Sequence, residues 1–152
     1  MNVKNLSAGA RVRIRRSPTE VFAAFADANN MSKFWFTRRD TGLVEGEKST
    51  WFLGSGEDAF SFDVLVKELS KPDKIVIEWV GTDGNSTQVM WLFEESDEGD
   101  TILTIEESGF VGSSEAVVER RLDSTAGFNQ VIIAAKALVE HDVELNVVAD
   151  HV

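Results

Sequence analysis

The sequence contains no cysteine and no tyrosine, and only two of its 152 residues are proline. The absence of cysteine excludes disulfide bonds, thiol nucleophiles and cysteine-bound zinc, while leaving the redox compartment open. No apolar run approaches the roughly 20 residues that span a bilayer, so we expect no membrane insertion. Residues 1–18 lack the apolar core of a secretory signal, and we therefore expect a cytoplasmic protein.

The net charge of -11 is unevenly distributed along the chain. Residues 1–40 hold eight Lys or Arg against three acids, so this segment carries +5 and the remainder carries -16. Such an acidic body repels nucleic acid and anionic membranes at long range, and neither is expected as a partner. The length and the 43% hydrophobic content are ordinary for a globular protein and predict a single domain over residues 1–152.

The first part of the chain predicts a strand followed by two helices. Residues 10–16 alternate apolar and arginine side chains, which is typical of a half-buried strand. Ser17, Pro18 and Glu20 form a capping box with proline at the first helical position, so a helix is expected to follow. Residues 29–36, NNMSKFWF, predict a second short helix that carries the three aromatic side chains.

Six turn-bounded strands are expected next, and their succession favours hairpins in an antiparallel sheet. The first two, 41–44 and 48–54, are predicted to meet across Glu45–Gly46, and residues 54–58 to form a turn. The third, 59–69, is predicted to place Leu69 on the face opposite its buried residues. The others are expected over 74–80, 87–95 and 101–110.

The last regular element is a long apolar helix. It is predicted to begin after Ser113–Ser114, to run to about Glu140 and to break near Gly127. Its apolar residues recur at the spacing of one helical face. The members of that face are Phe128, Val131, Ile132, Ala135, Leu138 and Val139.

An antiparallel sheet closed by one long helix is an α+β, two-layer architecture. A curved sheet that grips a helix without touching it everywhere leaves a cavity between the two. We interpret Gly127 as removing a side chain where a strand or ligand comes close. Asn129, and beside it Gln130, are candidates for the amide that meets a polar group of the ligand there.

Four segments resemble the SRPBCC superfamily, which includes START lipid-transfer domains, the birch pollen allergen and polyketide cyclases. They are RIRRSPTEVFAAFADANNMSKFW, VKELSKPDKIVIEW, TQVMWLFEESDEGDTILTIEESGF and GFNQVIIAAKALVEHDVELNVV. Within it, the chain is similar to the bacterial branch related to activators of the ninety-kilodalton heat-shock chaperone's ATPase. The resemblance implies a helix-grip fold: a curved antiparallel sheet of six to seven strands wrapped on the C-terminal helix, with two short helices after strand 1. Such motifs specify fold and are poor guides to activity.

Aromatic residues are the main functional signal, because the resemblance implies an internal cavity and rings of this kind line pockets for apolar or aromatic ligands. For each ring, ordinary core packing is the alternative reading. The ligand-binding candidates are Trp35, Phe36, Trp51, Phe60, Phe62, Trp79, Trp91, Phe93, Phe110, Phe128 and Asn129.

Polar groups give weaker signals. Glu106 and Glu107 are consecutive in a strand, so one of them should point inward. Glu107 is therefore a weak candidate for a general acid or base. His141, Asp142 and Glu144 match no strong metal-ligand spacing, and no metal site is expected. The GSGE segment lacks the lysine of a phosphate-binding loop, and no cofactor is expected.

Three functions are compatible with this sequence. The favoured one is binding of a hydrophobic small molecule without turnover; the second is an enzyme of the cyclase or hydrolase kind that uses a carboxylate such as Glu107. The third is a chaperone-interacting module with a contact surface around Arg38 and Arg39. Residues 142–152 are predicted to be extended and to pack either on their own sheet or on a second subunit, so a homodimer is a candidate assembly.

Overall fold

The computed structural model describes residues 6–36, 38–39, 42–53, 60–81 and 83–152, with backbone only at 38–39. Within these ranges the chain forms seven strands and three helices. In chain order they are β1 Ala8–Ile14, α1 Pro18–Ala26, α2 Ala28–Met31, β2 Arg38–Arg39, β3 Lys48–Leu53, β4 Phe60–Ser70, β5 Lys74–Val80, β6 Ser86–Glu95, β7 Thr101–Ser108 and α3 Ser114–His141.

One antiparallel sheet contains all seven strands, in the spatial order β1-β7-β6-β5-β4-β3-β2. The backbone of α3 lies nearest to the edge strand β1 and to α1. Large alternating side chains of β5, β6 and β7 fill much of the space between the sheet and the helix. This arrangement confirms the predicted α+β helix-grip fold.

Capping explains where the two short helices begin and end. The Ser17 hydroxyl accepts a hydrogen bond from the Glu20 amide at 3.4 Å, as the capping box predicts. Asp27 ends α1 and caps α2, because its carboxylate accepts the amides of Asn29 at 2.8 Å and Asn30 at 3.3 Å. The two helices therefore meet at one residue.

The second helix is shorter than predicted. It ends at Met31, and the chain then tightens into turns in which the Phe34 and Trp35 amides both bond to the Met31 carbonyl. The three aromatic residues at 34–36 therefore follow the helix instead of lying on it. This change in direction lets their rings point into the interior.

The predicted strand at 41–44 was wrong. Residues 42–44 have no regular structure, Thr41 lies outside the described residues, and β3 is instead paired by Arg38–Arg39. The connection is longer than a tight hairpin because the turn at Glu45–Gly46 bonds to β4, through the Gly46 amide and the Val66 carbonyl. The predicted turn at 54–58 lies outside the described residues.

A register shift in β4 overturns the prediction for Leu69. The pairing with β5 slips between Val66 and Glu68, so two residues of β4 occupy the space of one. The slip reverses which side chains face inward. Leu69 consequently packs against the same core as Val64.

The long helix is continuous from Ser114 to His141, so the predicted break near Gly127 was wrong. Ser113 caps its start, accepting the Ala116 amide at 3.2 Å. It ends at Asp142, which adopts a left-handed conformation. Residues 142–152 are not extended as predicted: residues 147–150 form turns, and Val147 packs against the main core.

A polar clamp fastens the C-terminal end of α3 to the chain just after β1. The Glu140 carboxylate accepts the Arg15 amide at 3.1 Å and the Lys136 ammonium at 2.5 Å, and Lys136 also donates to the Arg13 carbonyl at 2.6 Å. Burial alone would raise the pKa of Glu140. The hydrogen bonds from Lys136 and the Arg15 amide outweigh that effect and hold the pKa below its ordinary value of 4.5.

We expect Glu140→Gln to lower the free energy of unfolding by about 2 kcal/mol at pH 7, because hydrogen bonds to a charged acceptor are replaced by weaker ones. Because the folded pKa is depressed, the charge contributes fully above pH 4.5 and its contribution is lost as the pH falls through the folded pKa. Urea unfolding followed by tryptophan fluorescence should therefore show the two proteins converging in acid. Glu119→Gln, at an exposed position of the same helix, is the control and should match the wild type.

Candidate functional site

Part of the interior is filled by rings. Phe25 lies 5.2 Å from Phe34, 6.1 Å from Trp91 and 6.1 Å from Phe93, measured between ring centroids. Phe22 contacts Phe93 from the other side at 5.2 Å. Tilted and edge-on contacts at these distances are favourable and leave little space. The region where α1 meets the sheet is therefore solid core.

Another part of the interior is open. A groove of about 620 Å³ lies between α3, β3–β5 and the C-terminal segment 147–151. This volume is within the range of roughly 300–1,000 Å³ that is usual for small-molecule sites. Its aromatic lining consists of Trp35, Phe36, Phe60, Phe62, Trp79 and Phe128.

The rings at the base of the groove join the helix to the sheet. Trp79 of β5 and Phe128 of α3 have nearly parallel planes, at 4°, with centroids 6.4 Å apart. Trp35 stands almost perpendicular to both, at 6.2 Å from Trp79 and 6.3 Å from Phe128. Each ring is fixed by its neighbours, so the groove has a preformed aromatic floor.

Five predicted ligand-binding residues do not border the groove. Trp91 and Phe93 belong to the solid core, and Trp51 is 1% exposed behind Phe36, whose ring is 4.8 Å away. Phe110 packs with Ala8 and Val117 in a separate small cluster. The structure places these four rings in packed clusters, which was the alternative interpretation in the sequence analysis. The fifth residue is Asn129.

Asn129 faces away from the groove, contrary to its predicted role. Its amide nitrogen donates to the Gly9 carbonyl at 3.3 Å and to the Thr125 carbonyl at 2.8 Å, which ties α3 to β1. The next residue, Gln130, lines the groove instead. A helix turns by about 100° per residue, so adjacent amides point in clearly different directions.

Gly127 borders the groove, but no strand approaches it. A Cβ added there would meet nothing within 4 Å. The close approach occurs at Gly9, where an added Cβ would lie 2.7 Å from the Ile105 carbonyl oxygen of β7. The absent side chain at Gly127 therefore leaves the helix side of the groove wide.

A polar cluster borders the groove beside Trp79. Its centre is Glu107 of β7, which is 1% exposed and is the inward member of the predicted pair. Glu107 Oε2 accepts a hydrogen bond from the Trp79 indole nitrogen at 2.9 Å and a short one from the Thr87 hydroxyl. Glu107 Oε1 is buried without a hydrogen-bond partner among the described residues.

Arg120 of α3 covers this cluster. Its Nη2 lies 3.8 Å from Glu107 Oε2, and its Nη1 donates to both carboxylate oxygens of Asp83 at 3.1 Å. The guanidinium also lies 5.2 Å above the Phe110 ring. The Asn85 amide and, after it, Arg120 hold the pKa of Asp83 below its usual value. A methyl group at Gly81 would collide with the guanidinium, so Gly81 makes room for it.

The sequence prediction missed much of the groove's wall. Small and polar residues of α3 contribute one side, and the C-terminal segment supplies Val147, Val148 and His151. The apolar spacing of residues 143–148 was the available signal, but it does not show where the segment folds back. The lining residues other than Phe and Trp are Leu53, Val80, Gly81, Glu107, Arg120, Asp123, Ser124, Ala126, Gly127, Gln130, Val131, Val147, Val148 and His151.

The described residues also bear on metal binding and membrane insertion. They contain no group of three or more His, Asp or Glu side chains placed to hold a metal ion. None of their helices is both long enough and apolar enough to cross a membrane. The side chains of Arg38 and Arg39, predicted as a contact surface, lie outside the described part of the chain.

Solved structures with this architecture come from several bacteria. Protein SSP2350 from Staphylococcus saprophyticus is 22% identical, with 92% of this chain and 96% of that one covered and a TM-score of 0.75. The Aha1 dimer from Colwellia psychrerythraea is 17% identical, with 90% of this chain and 97% of that one covered and a TM-score of 0.67. CalU16 from Micromonospora echinospora is 19% identical, with 87% of this chain and 76% of that one covered and a TM-score of 0.62. No curated protein matches the chain.

These identities are below 25%, so the likeness to solved structures establishes the fold alone. The family model described as "Activator of Hsp90 ATPase homolog 1-like protein" matches residues 15–140, from the end of β1 almost to the end of α3. That match covers most of the chain and confirms the resemblance found in the sequence. The chain belongs to the Activator of Hsp90 ATPase homolog 1-like family.

Proposed function

We propose that this protein binds a hydrophobic, ring-containing small molecule in the groove between α3 and the sheet. The observation that carries the proposal is the groove itself: about 620 Å³, floored by Trp35, Trp79 and Phe128. Apolar sites with a few convergent polar groups are typical of small-molecule binding. The buried polar cluster at Glu107 supplies such groups.

Burial of the ligand's own surface provides the driving force. Removing apolar surface from water contributes about 25 cal/mol per Å², and a rigid aromatic floor limits the ordering cost of binding. Phe60 is 59% exposed at the rim of the groove, so a ligand would also cover part of a ring that now faces water.

An acid–base enzyme is the second candidate, and Glu107 is the observation that favours it. A buried carboxylate with one unpartnered oxygen beside a groove has the position expected of a general acid or base. Product analysis by mass spectrometry after incubation with a bound compound separates the two functions. Turnover that Glu107→Gln abolishes would establish the enzyme, and recovery of the unchanged compound supports the binder.

The family description suggests a third role, stimulation of a chaperone ATPase. No observation on the described residues favours it here, and a direct ATPase assay with a bacterial chaperone of that class tests it. A homodimer, a cytoplasmic location and a single domain over 1–152 stay predictions. One related protein, from Colwellia psychrerythraea, was solved as a dimer.

The binding function is tested first by native mass spectrometry of freshly purified protein, which should reveal a copurified small molecule. A screen of apolar aromatic compounds should quench tryptophan fluorescence, because Trp35 and Trp79 line the groove. Absence of both a copurified compound and any screening hit would contradict the proposal.

Substitutions at Gly127 should separate binding from stability. Gly127→Leu extends a side chain into open space in the groove, so we expect about tenfold weaker binding of the neutral dye N-phenylnaphthylamine. Gly127→Ala should bind nearly as the wild type does. Both variants should unfold at equal or higher urea concentration, because glycine within a helix costs about 1 kcal/mol relative to alanine. Dye binding unchanged in Gly127→Leu would place the ligand elsewhere.

The C-terminal segment should contribute to affinity. Val148→Asp places a charge in the wall of the groove, and we expect about tenfold weaker dye binding because that carboxylate must be desolvated or displaced. Val143→Asp is the matched control: Val143 belongs to the same segment but is 46% exposed and does not line the groove. Equal losses in the two variants would mean that added charge, and not position, causes the effect.

A further inference from the structure

We infer that Glu107 recognises the hydroxyl group of an uncharged aromatic ligand, with Trp79 holding the ligand's ring beside it. This inference rests on the proposed function and deepens it by naming the ligand class. Its basis is the polar cluster of Glu107, Thr87, Trp79 and Arg120, which borders an otherwise mainly aromatic and aliphatic wall.

The two carboxylate oxygens of Glu107 differ in their hydrogen bonds. Oε2 accepts from Trp79 and Thr87 and lies 3.8 Å from Arg120, whereas Oε1 has no partner among the described residues. A buried acceptor without a donor is costly, and a donor brought by a ligand removes that cost. Oε1 is covered, so the ligand reaches it after a small displacement of a neighbouring side chain. Arg120, which is 17% exposed at its side chain, is the neighbour placed at the helix surface.

Trp79 connects the polar and apolar parts of this site. Its indole nitrogen donates to Glu107, while its ring lies parallel to Phe128 and lines the groove. A flat ligand in contact with the Trp79 ring is therefore close to the Glu107 carboxylate. A hydroxyl group on that ligand can therefore donate a hydrogen bond to the Glu107 carboxylate over a short distance.

The charges around Glu107 favour a neutral donor. Glu107 and Asp83 lie beside the Arg120 guanidinium, and Asp123 also lines the groove, so an anionic ligand meets more acidic than basic side chains there. An ammonium group on the ligand would compete with Arg120 for the Glu107 carboxylate, and the positive charge of the Arg120 guanidinium would repel it. A hydroxyl group carries no charge and donates a single hydrogen bond to Oε1, so after a small shift of Arg120 the ligand does not compete with it for Glu107 Oε2 or Asp83.

Four probes of similar shape test the inference on the wild-type protein by isothermal titration calorimetry at pH 7. They are naphthalene, β-naphthol, β-naphthoate and β-naphthylmethylamine. We expect β-naphthol to bind about tenfold more tightly than naphthalene, the effect of one hydrogen bond to a buried charge. The anion and the cation should bind no more tightly than naphthalene.

Two variants locate the effect. Glu107→Gln should reduce the advantage of β-naphthol over naphthalene, with both affinities measured on the same variant, from about tenfold to about threefold or less. Glu106→Gln is the matched control, because Glu106 is the exposed neighbour on the opposite face of β7, and it should keep the full advantage. Nuclear Overhauser contacts between the Trp79 indole proton and bound β-naphthol give a second readout that needs no variant.

Equal affinities of β-naphthol and naphthalene for the wild type would overturn the inference, and so would tighter binding of the anion or the cation. An advantage that survives in Glu107→Gln would assign the hydroxyl to another residue. If none of the four probes binds, the proposed function fails and this inference with it. Binding of naphthalene without a preference for β-naphthol leaves the binding function intact and removes only the inference.

Discussion

The close approach of the α3 backbone to one edge strand of the sheet, β1, determines where this protein is filled and where it is open. The helix is tied to β1 by Asn129 on Gly9 and by the clamp of Lys136 and Glu140. Away from that edge its backbone is separated from the sheet by side chains. The size and direction of the side chains between α3 and the sheet then decide whether that space is solid core or open groove.

The rings supplied by the first helices fill one region. Phe22 and Phe25 of α1 reach Trp91 and Phe93, and together they occupy the space under α1. Farther along α3, the residues that face the sheet include Gly127 and Ala126, which have little or no side chain. The groove lies where those small residues leave the aromatic floor uncovered.

Keeping Glu107 buried is energetically demanding. Moving a carboxylate out of water costs several kcal/mol even after relaxation. The hydrogen bonds from Trp79 and Thr87 to Oε2, worth about 1.5–3 kcal/mol each, offset part of that cost. The Arg120 guanidinium, 3.8 Å from Glu107 Oε2, adds a further contact. The room that Gly81 leaves for Arg120 is consequently part of what stabilises the cluster.

Much of the fold was predictable from sequence, because alternation, caps and turn residues are local signals. The capping box at Ser17 and the alternation in β5, β6 and β7 were placed correctly. Leu69 was misplaced because a bulge changes the register without changing the local pattern. Strand alternation predicted that one of Glu106 and Glu107 points inward, and the structure identifies it as Glu107. In contrast, the sorting of fourteen aromatic residues between core and groove depends on tertiary distances that periodicity does not contain.

The last turn of the chain has a consequence for how ligand preference can change. Val147 packs against the core, but Val148 and His151, which also line the groove, lie beyond the helix and outside the strand pairings of the described residues. Substitutions there alter the shape and polarity of the site while leaving the hydrogen-bonded scaffold untouched. Under the proposed binding function, ligand preference can therefore change through this segment with little loss of folding stability, as in proteins whose recognition loops vary on a constant framework.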